Sequence, residues 1–437
     1  MADFQQSVLV IGAGTWGCST ALYLARRGYK NVTVLDLFEP PSPLSAGNDV
    51  NKIVQSRPLE NTSSKAEAVR LKLQALAAPR WRNDPVFGPY FHESGYVICA
   101  QSAAGKKRLP KASDLQFEPL NTPEDFRRTM PAGVLTGSFK GWQGGWKKTG
   151  AGWVFARGAL VSAYREAQRL GVKFVFGDDG NVTRLELGAH QVEAVVTASG
   201  KRQLADTVVL ANGARAPELL DLEGQLRPTA WTVSHIKLTQ EELRLYKNLP
   251  VFFNIESGFF IEPDEEKGEL KICDEHPGYC NFVRQGERER LKSVAYTRAR
   301  EEIPGEAEQR TRKFLRDTMP HLATRPLSFA KICWCADTPD RQFLIDRHPR
   351  LKNLVVATGG SGHGFHHIVT VGDWIADILE GKMDPDLAEM FRWRPETSVG
   401  RDLLDTQGRI GGSNRVMDLQ EVKEWTRIEQ RPWKSVL

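Results

Sequence analysis

The stretch Ser7–Asp36, SVLVIGAGTWGCSTALYLARRGYKNVTVLD, decides the fold of this chain. Its first five residues, SVLVI, form an apolar run that is typical of a strand buried on both faces of a sheet. The turn Gly12-Ala13-Gly14-Thr15-Trp16-Gly17 follows, and a helix rich in small residues then runs to Gly28. A second apolar run, NVTVL, leads to Asp36. This spacing predicts a β-α-β unit of about thirty residues that binds a dinucleotide.

The turn has the spacing G-x-G-x-x-G, in which each glycine has its own physical task. Gly12 permits the tight turn, Gly14 lets the backbone approach a pyrophosphate, and Gly17 allows the helix and the strand to pack closely. The start of the helix offers free N–H groups and the positive end of its dipole to the phosphates. Asp36 is placed to accept hydrogen bonds from a ribose diol. These features do not distinguish FAD from NAD.

Length, composition and charge are those of an ordinary globular protein with two lobes. The 437 residues are 41% hydrophobic and 26% charged, and the net charge of +5 comes from 59 basic and 54 acidic residues spread along the chain. We expect no nucleic-acid partner, because no lysine or arginine block stands out. We expect no membrane partner, because no apolar run approaches the roughly 20 residues that cross a bilayer.

The cysteines and the two ends of the chain indicate an intracellular location. Six scattered cysteines are too few for a disulfide framework. The start, MADFQQSVLVIG, lacks the basic and long apolar regions of a signal peptide. The end, Ser435-Val436-Leu437, lacks the lysine of the peroxisomal Ser-Lys-Leu address. We therefore expect a cytoplasmic or peroxisomal protein without an intact peroxisomal tail.

Strand–turn–helix patterns occur at both ends of the chain, with strand-rich sequence between them. Near the C-terminal end, the apolar strand Asn353–Thr358 leads into the turn Gly359–Gly364. This distribution predicts an α/β fold, with a Rossmann-type domain assembled from discontinuous segments and an inserted, mainly antiparallel sheet domain for the substrate. The predicted boundaries are 1–88, 150–225 and 330–384 for the first domain, 89–149 and 226–329 for the second, and 385–437 for a C-terminal wrapping segment. Helices are predicted over 64–78, 157–170, 297–318 and 368–380, and a strand over 329–335.

Two late motifs are more specific than the glycine turn. The run Lys331–Asp346, KICWCADTPDRQFLID, and the run Gly359–Phe365, GGSGHGF, resemble the flavin end of the D-amino-acid oxidase and sarcosine oxidase superfamily. The resemblance is closest to the fructosyl amino acid oxidases, also called amadoriases, and it covers nearly the whole chain. Further stretches support it: SAGNDVNKI at 45–53, ELKICDEHPG at 269–278 and GRIGGSNR at 408–415.

The resemblance implies an FAD-dependent oxidase with a glycated amino acid and molecular oxygen as its partners. Such an enzyme oxidises the C–N bond of a fructosyl amino acid, and the products are the amino acid, glucosone and hydrogen peroxide. The resemblance also implies a monomer, and we expect no metal site. The cofactor-binding residues that it implies are Gly12, Gly14, Thr15, Trp16, Gly17, Asp36, Ser45, Asn48, Lys52, Gly362, His363, Gly364, Phe365 and His366.

The resemblance further implies a covalent flavin, linked through its 8α carbon to Cys333 as a cysteinyl thioether. Cys335 is the main rival, because residues two apart on a strand share a face. Cys333 is preferred because it lies seven residues before Asp340, as in the family. A zinc site is disfavoured, because no second cysteine pair has the required spacing.

Two lysines match residues near the flavin in relatives. Lys271 matches the lysine that promotes reaction with oxygen, and a fixed positive charge there would stabilise the negative charge that develops on oxygen. Composition alone would instead make Lys271 a solvated strand lysine. Lys52 is expected near the flavin N5 or the pyrimidine edge, with Ser45 and Asn48 beside it.

Charged residues are also implied at the substrate end. Glu275 and Arg409 match residues that hold the amino-acid part of the substrate, and arginine suits a carboxylate through its paired donors. Arg415 competes with Arg409 for this role. Glu275 and Arg409 could alternatively be an ordinary surface carboxylate and an ordinary surface arginine, since charged residues are mostly exposed. His366 stands where many close relatives have lysine, which leaves the contact with the sugar open.

Two alternatives to deglycation are kept. The first is an oxidase of sarcosine, other N-methyl amino acids or cyclic amino acids within the same superfamily. The second, which is less favoured, is a nicotinamide dehydrogenase that uses the same N-terminal unit. Preference among α-fructosyl, ε-fructosyl and fructosyl-peptide substrates is expected to depend on residues 55–65, 100–115 and the C-terminal segment.

Overall fold

A computed structural model describes residues 3–55, 65–110, 116–285, 290–297, 300–426 and 428. The predicted tail address at 435–437 and parts of the two predicted entrance segments lie outside these residues. The helices within the described ranges are Thr15–Arg26, Lys65–Asn83, Ala103–Lys106, Pro123–Arg127, Ala156–Arg169, Ala216–Leu219, Gln240–Leu245, Gly305–Thr318, Val371–Glu380 and Pro385–Phe391.

A six-stranded sheet carries the nucleotide-binding unit. Five of its strands are parallel, and the edge strand Leu344–Arg347 runs antiparallel to its neighbour. The central strands are buried on both faces, as their continuous apolar sequence predicts. The strands, in spatial order, are Leu344–Arg347, Leu354–Thr358, Thr207–Leu210, Ser7–Ile11, Asn31–Leu35 and Lys173–Val175. The sheet is therefore assembled from separated segments of the chain.

Helices cover one face of this sheet at close range. Thr15–Arg26 packs against both Val371–Glu380 and Ala156–Arg169. The first of these contacts depends on Gly372, because a Cβ there would lie 2.1 Å from Ser19 O. This packing joins the first and the last nucleotide-like units of the chain into one body.

A second sheet, of ten strands within the described residues, is mainly antiparallel. Its centre is the strand Arg227–Lys237, which pairs with Glu269–Asp274 and Leu327–Asp337. The strand Leu327–Asp337 crosses the predicted boundary at residue 330, and the division into domains stays a prediction. The other strands are Met417–Asp418, Tyr279–Cys280, Gly258–Phe260, Val251–Asn254, Tyr96–Ala100, Gln143–Lys147 and Glu118–Leu120.

The register of the three central strands separates a core face from a polar face. Ile236, Leu270 and Ile272 belong to the apolar core that also contains Phe314 of the helix Gly305–Thr318. The alternate residues point to the opposite face, because side chains alternate along a strand. That opposite face carries Glu269, Lys271 and Cys273 on one strand, Trp231, Val233 and His235 on the next, and Lys331, Cys333 and Cys335 on the third.

Three small sheets complete the fold. Their strands are Val182–Leu187, Val192–Thr197 and Arg202–Gln203, then Asn51–Gln55, Ala151–Phe155 and Phe91–His92, and finally Phe282–Gln285 and Arg290–Ser293. Short 3₁₀ turns lie at Gly88–Tyr90, Gly177–Asp179, Gly213–Arg215, Pro320–Leu322, Gly364–His367, Pro395–Ser398 and Leu419–Glu421. None of the helices in the described part of the chain has the length and apolar character needed to cross a membrane.

Two predicted helices begin too early. The helix predicted over 297–318 starts at Gly305, because Pro304 occupies the extended N-cap position and pairs in a β-bridge with Trp425. The helix predicted over 368–380 starts at Val371, after a 3₁₀ turn, and ends at Gly381 in the left-handed conformation. The strand predicted over 329–335 is longer and spans Leu327–Asp337.

Candidate active site and cofactor cavity

The glycine turn shows why two of its glycines admit no side chain. Gly12 has φ +104°, and a Cβ there would lie 2.8 Å from Ala211 O. A Cβ on Gly17 would lie 1.7 Å from Gly12 O, so the first helix turn packs directly on the strand end. Gly14 has more space, since the nearest atom to a Cβ there is Ser45 Oγ at 3.4 Å.

Asp36 closes the turn from the second strand. Its Oδ2 accepts a hydrogen bond from Ala13 N at 2.7 Å, and its Oδ1 accepts one from Phe38 N at 3.1 Å. Burial raises the pKa of Asp36, although the backbone donors oppose this shift. The carboxyl therefore braces the turn and also lines the adjoining cavity.

A long cavity begins at this turn and reaches the second sheet. Its lining includes Gly12, Gly14, Thr15 and Trp16 of the turn, and Cys333, Trp334 and Cys335 of the second sheet. Ser45, Lys52, Gly362, Gly364 and Phe365 also line the cavity. The cavity thus joins the predicted phosphate site to the predicted site of the covalent flavin bond.

The residues present fit an FAD molecule. The side-chain-free Gly12 and Gly14 and the start of the helix Thr15–Arg26 form a cradle for phosphates. Asn212 Oδ1, also in the lining, is buried and has no hydrogen-bond partner among the described residues. Such a buried acceptor calls for a donor from a bound molecule. FAD would lie with its phosphates at the glycine turn and its flavin towards Cys333.

The loop after the strand Leu354–Thr358 is fixed against the glycine turn. Trp16 Nε1 donates to Gly364 O at 3.1 Å. Gly362 has φ +84°, which favours glycine. His363 is stacked on Phe343, and burial together with Arg341 lowers the pKa of His363 to about 3. The histidine is therefore neutral at physiological pH.

Asp49 is the anion around which two of the predicted lysines meet. Its Oδ2 lies 2.7 Å from Lys271 Nζ and 2.6 Å from Lys52 Nζ. Lys271 also donates to Asn51 O at 2.8 Å, and its side chain is only 2% exposed. The interpretation of Lys271 as a solvated strand lysine is therefore wrong. Burial works to raise the pKa of Asp49, but Lys271, Lys52 and Lys331 outweigh it and hold that pKa well below its usual range.

Asn48 faces the same cluster through its backbone. Its carbonyl accepts a hydrogen bond from Lys331 Nζ at 2.5 Å, and its side-chain amide donates to Pro41 O at 3.2 Å. Burial lowers the pKa of Lys331. Ser45 Oγ nearby accepts a hydrogen bond from Gly47 N at 3.1 Å.

The two cysteines of the late motif differ in their surroundings. Both line the cavity, and Cys333 pairs across the sheet with Trp231. Cys333 interacts electrostatically with Lys52 and Lys331. Burial, reinforced by neighbouring negative charge, raises the pKa of the Cys335 thiol. Arg409 and Lys52 oppose this shift, so both sulfurs have cationic neighbours.

Arg409 lies inside the protein and is held by a carboxylate. Its Nη1 and Nη2 donate to the two oxygens of Asp337 at 2.8 and 3.0 Å, and its guanidinium lies 4.9 Å from the centre of the Trp231 ring. Arg415, its rival in the sequence, is exposed. The surface alternative is therefore wrong for Arg409.

Glu275 lies near this arginine because the C-terminal segment packs on its backbone. A Cβ on Gly411 would lie 2.4 Å from Glu275 O. Burial raises the pKa of Glu275 to about 8, while Arg409 and Arg341 oppose that shift. Arg341 Nη2 and Arg409 Nη2 each lie 3.8 Å from the position of a Cβ on Gly362, which links this charged group to the cavity.

His366 is buried in the 3₁₀ turn Gly364–His367, which contacts the helix Lys65–Asn83 and the strand Asn51–Gln55. Its backbone carbonyl accepts a hydrogen bond from Trp81 Nε1 at 2.8 Å. Its Nε2 is buried and has no hydrogen-bond partner among the described residues. Burial lowers its pKa to about 4, so this position carries no positive charge near neutral pH, unlike a lysine.

Sequence reasoning missed several residues of the site. Asp49 and Asp337 lie inside the motifs quoted for the resemblance, yet only the structure shows that they pair with Lys271 and Arg409. Trp231 carried no signal, because it lies within an unremarkable apolar strand. A search for acidic residues within the quoted motifs would have found the two aspartates.

Comparison with known proteins agrees with this geometry. A family model described as FAD dependent oxidoreductase matches residues 7–378. The fructosyl amine:oxygen oxidoreductase Amadoriase I from Aspergillus fumigatus is 52% identical, with a TM-score of 0.96 and coverage of 99% of both chains. The chain belongs to the FAD-dependent oxidoreductase family and, within it, to the amadoriases.

Two further relatives are also similar over most of their length. Amadoriase II from Aspergillus fumigatus, a deglycating fructosamine oxidase solved in complex with FSA, is 50% identical, with a TM-score of 0.94 and coverage of 99% of both chains. L-saccharopine oxidase from Schizosaccharomyces pombe is 28% identical over 412 residues, which cover 90% of this chain and 94% of that protein. The predicted family and fold class are confirmed.

Proposed function

We propose that this chain catalyses the FAD-dependent oxidative deglycation of fructosyl amino acids. The reaction consumes the glycated amino acid, oxygen and water, and it yields the free amino acid, glucosone and hydrogen peroxide. The proposal rests on the 52% identity to a fructosyl amine:oxygen oxidoreductase over 99% of both chains. When bound, FAD would supply the redox chemistry, which transfers two electrons from the C–N group of the substrate to oxygen.

The proposed cofactor contacts follow from the cavity. The glycine turn and the helix start at Thr15 hold the pyrophosphate, and Asp36 accepts hydrogen bonds from the ribose. Cys333 is the proposed covalent attachment point. Its support is its place in the cavity lining, on the sheet face that it shares with Lys331, together with its spacing of seven residues from Asp340.

Lys271 is proposed to supply positive charge where oxygen is reduced. It is buried, and its ammonium is fixed by Asp49 and by Asn51 O. A preorganised cation in a site that excludes water stabilises developing negative charge more than it would in solution. The lysine needs no rearrangement when oxygen arrives, because both of its partners belong to one short loop.

Glu275 and Arg409 are proposed to hold the amino-acid end of the substrate. Arg409 offers a guanidinium oriented by Asp337, which suits a carboxylate. Glu275 is protonated at neutral pH in the free protein, and a bound substrate cation would favour its ionised form. The neutral His366 is proposed to face the sugar as a hydrogen-bonding group rather than a charge.

One specific observation favours a second candidate function. The similarity to L-saccharopine oxidase extends over 90% of this chain, and saccharopine is a secondary amine that lacks a sugar. An oxidase of simpler secondary amino acids, sarcosine included, is therefore the alternative. This alternative function differs from deglycation in its substrate, whereas the oxidised bond is a C–N bond in both.

A peroxide assay on the purified protein separates these functions. Fructosyl-valine, fructosyl-lysine, fructosyl-valyl-histidine, saccharopine and sarcosine are compared at equal concentration. We expect peroxide from at least one fructosyl substrate and little from the last two. Turnover of saccharopine or sarcosine without turnover of any fructosyl amine would replace the proposal with the alternative. Size-exclusion chromatography tests the proposed monomeric state.

A further inference from the structure

The short segment 48–51, which ends at the first residue of the strand Asn51–Gln55, contacts lysines of three strands: that strand, Glu269–Asp274 and Leu327–Asp337. Its Asn48 carbonyl accepts from Lys331, and its Asn51 carbonyl accepts from Lys271. The Asp49 carboxylate forms ion pairs with both Lys271 and Lys52 through the same oxygen, Oδ2. The other oxygen, Oδ1, accepts from Val50 N at 2.8 Å, so the carboxylate cannot rotate freely.

The loop itself is anchored from outside the cluster. Arg157 N donates to Asp49 O at 2.9 Å, and Ala156 N donates to Val50 O at 3.1 Å, both from the start of the helix Ala156–Arg169. Asp49 is only 2% exposed in its side chain. Water therefore contributes little to the charge balance, and the protein groups must supply it.

Among the described residues on the polar face of the sheet, the other titratable groups do not pair with Lys271 or Lys52 as Asp49 does. The polar face of the sheet adds two thiols, Cys273 and Cys333, and one histidine–glutamate pair in which His235 and Glu269 bind each other at 2.9 Å. Glu269 also pairs with Lys237 at 3.2 Å, which directs its charge away from the loop. The Asp49 carboxylate thus pairs directly with two ammonium groups, those of Lys271 and Lys52, and acts on the third, that of Lys331, through its charge alone.

We propose that Asp49 is a positioning residue for the oxygen reaction, a shared counter-ion that holds the Lys271 ammonium in place and couples it to Lys52 in the cofactor cavity. The inference rests on the proposed role of Lys271 towards oxygen. Without Asp49, the buried Lys271 ammonium faces the partly buried Lys52 and Lys331 ammonium groups with no carboxylate between them, and the charged form of the cluster becomes costly.

The direct test follows the two half-reactions of the holoenzyme in Asp49→Asn. The enzyme is reduced with dithionite without oxygen and mixed with oxygenated buffer, while flavin absorbance is recorded by stopped flow. We expect reoxidation to slow by about tenfold. We also expect the pH at which reoxidation declines on the alkaline side to move to lower pH. Reduction by fructosyl-valine should change much less.

Two matched variants isolate the effect. Asp274→Asn removes another buried carboxylate, which pairs with Arg310 at 2.8 Å on the opposite face of the sheet, and it should leave the pH profile of reoxidation unchanged. Asp49→Glu keeps the charge and should retain the wild-type pH profile even if its rate falls. Equal slowing of both half-reactions with an unmoved pH profile would overturn the proposal.

A second readout needs no cofactor. The pKa of Asp49 is depressed in the folded state, so its contribution to stability is present above the unfolded value near 4 and is lost as pH falls below it. With Cys333→Ser in both chains so that FAD can be removed, the difference in free energy of unfolding between the apoproteins with and without Asp49→Asn should therefore shrink between about pH 5 and pH 3. A constant difference over this range would contradict the charge role.

The stopped-flow test of reoxidation does not depend on the proposed substrate. The flavin is reduced with dithionite and not with an amine, so the rate of reoxidation can be measured even if the proposed substrate is wrong.

Discussion

Arg409 and Asp337 form a two-point ion pair inside the protein, with Nη1 and Nη2 at 2.8 and 3.0 Å from the two carboxylate oxygens. Asp337 is fully buried, and the Arg409 side chain is 5% exposed. The pair joins the C-terminal segment to the strand that carries Cys333. Arg409 therefore reaches the site with its orientation already set.

Asp337→Asn should weaken both the fold and the substrate site. Removing one partner of a buried pair leaves an uncompensated charge, and we expect the free energy of unfolding to fall by about 3 kcal/mol in a denaturant titration. The KM for fructosyl-valine should rise by about tenfold, the magnitude of one charge-assisted hydrogen bond. The exposed Arg415→Gln is the control and should change neither quantity. A raised KM in the control alone would transfer the substrate role to Arg415.

Glu275 should give the reaction a distinct pH dependence. Its pKa is raised to about 8 by burial, so the carboxyl is protonated at neutral pH and ionises as the pH passes that value. If the ionised form binds the substrate cation, kcat/KM should rise with pH and level off above about 8. Glu275→Gln should remove this rise in initial-rate measurements. An identical profile in the variant would assign the titration to another group.

The same shift has a consequence for stability. The folded state binds the Glu275 proton more tightly than the unfolded state, so this residue makes the free energy of unfolding fall as pH rises from about 4 towards 8. Glu275→Gln should flatten that part of the curve, as measured by denaturation at several pH values.

Cys333→Ser and Cys335→Ser should behave differently on acid precipitation. With Cys333 intact, the yellow colour should stay in the pellet, because a covalent flavin remains with the polypeptide. In Cys333→Ser the colour should pass to the supernatant, while Cys335→Ser should retain it in the pellet. The reverse pattern would place the bond on Cys335, and colour in the supernatant for the wild type would exclude a covalent bond.

Lys271→Met should separate the two half-reactions. The variant loses the buried ammonium beside Asp49 and keeps an unbranched side chain of similar length. We expect flavin reoxidation by oxygen to slow by about a hundredfold, while reduction by substrate slows much less. Stopped-flow absorbance measures both steps. Equal slowing of both would count against an oxygen-specific role.

Gly17→Ala and Gly14→Ala should distinguish folding from cofactor binding. A Cβ on Gly17 would lie 1.7 Å from Gly12 O, so this variant should lose about 3 kcal/mol or more of stability even without FAD. A Cβ on Gly14 meets only Ser45 Oγ at 3.4 Å. In a Cys333→Ser background, where FAD can dissociate, the Gly14→Ala apoprotein should unfold like its parent but bind FAD more weakly in a titration followed by flavin fluorescence.

Local patterns in the sequence predicted the elements whose causes are local. The apolar run at Ser7, the glycine turn and Asp36 correctly predicted a β-α-β unit, because strand burial and turn sterics depend on neighbouring residues. The predicted start of the helix 297–318 is eight residues too early. The charged sequence is similar on both sides of Pro304, so the pattern does not reveal that Pro304 is the N-cap. The surface alternatives for Lys271 and Arg409 were wrong, because composition does not report burial.

The sequence by itself determined the nucleotide-binding unit and the family, because both reside in short contiguous motifs. Tertiary structure alone decided how those motifs act on one another. Asp49 meets Lys271 across 222 positions of the chain, and Arg409 meets Asp337 across 72. Such pairs depend on strand register and on the path of the C-terminal segment, and burial then decides which charges interact strongly.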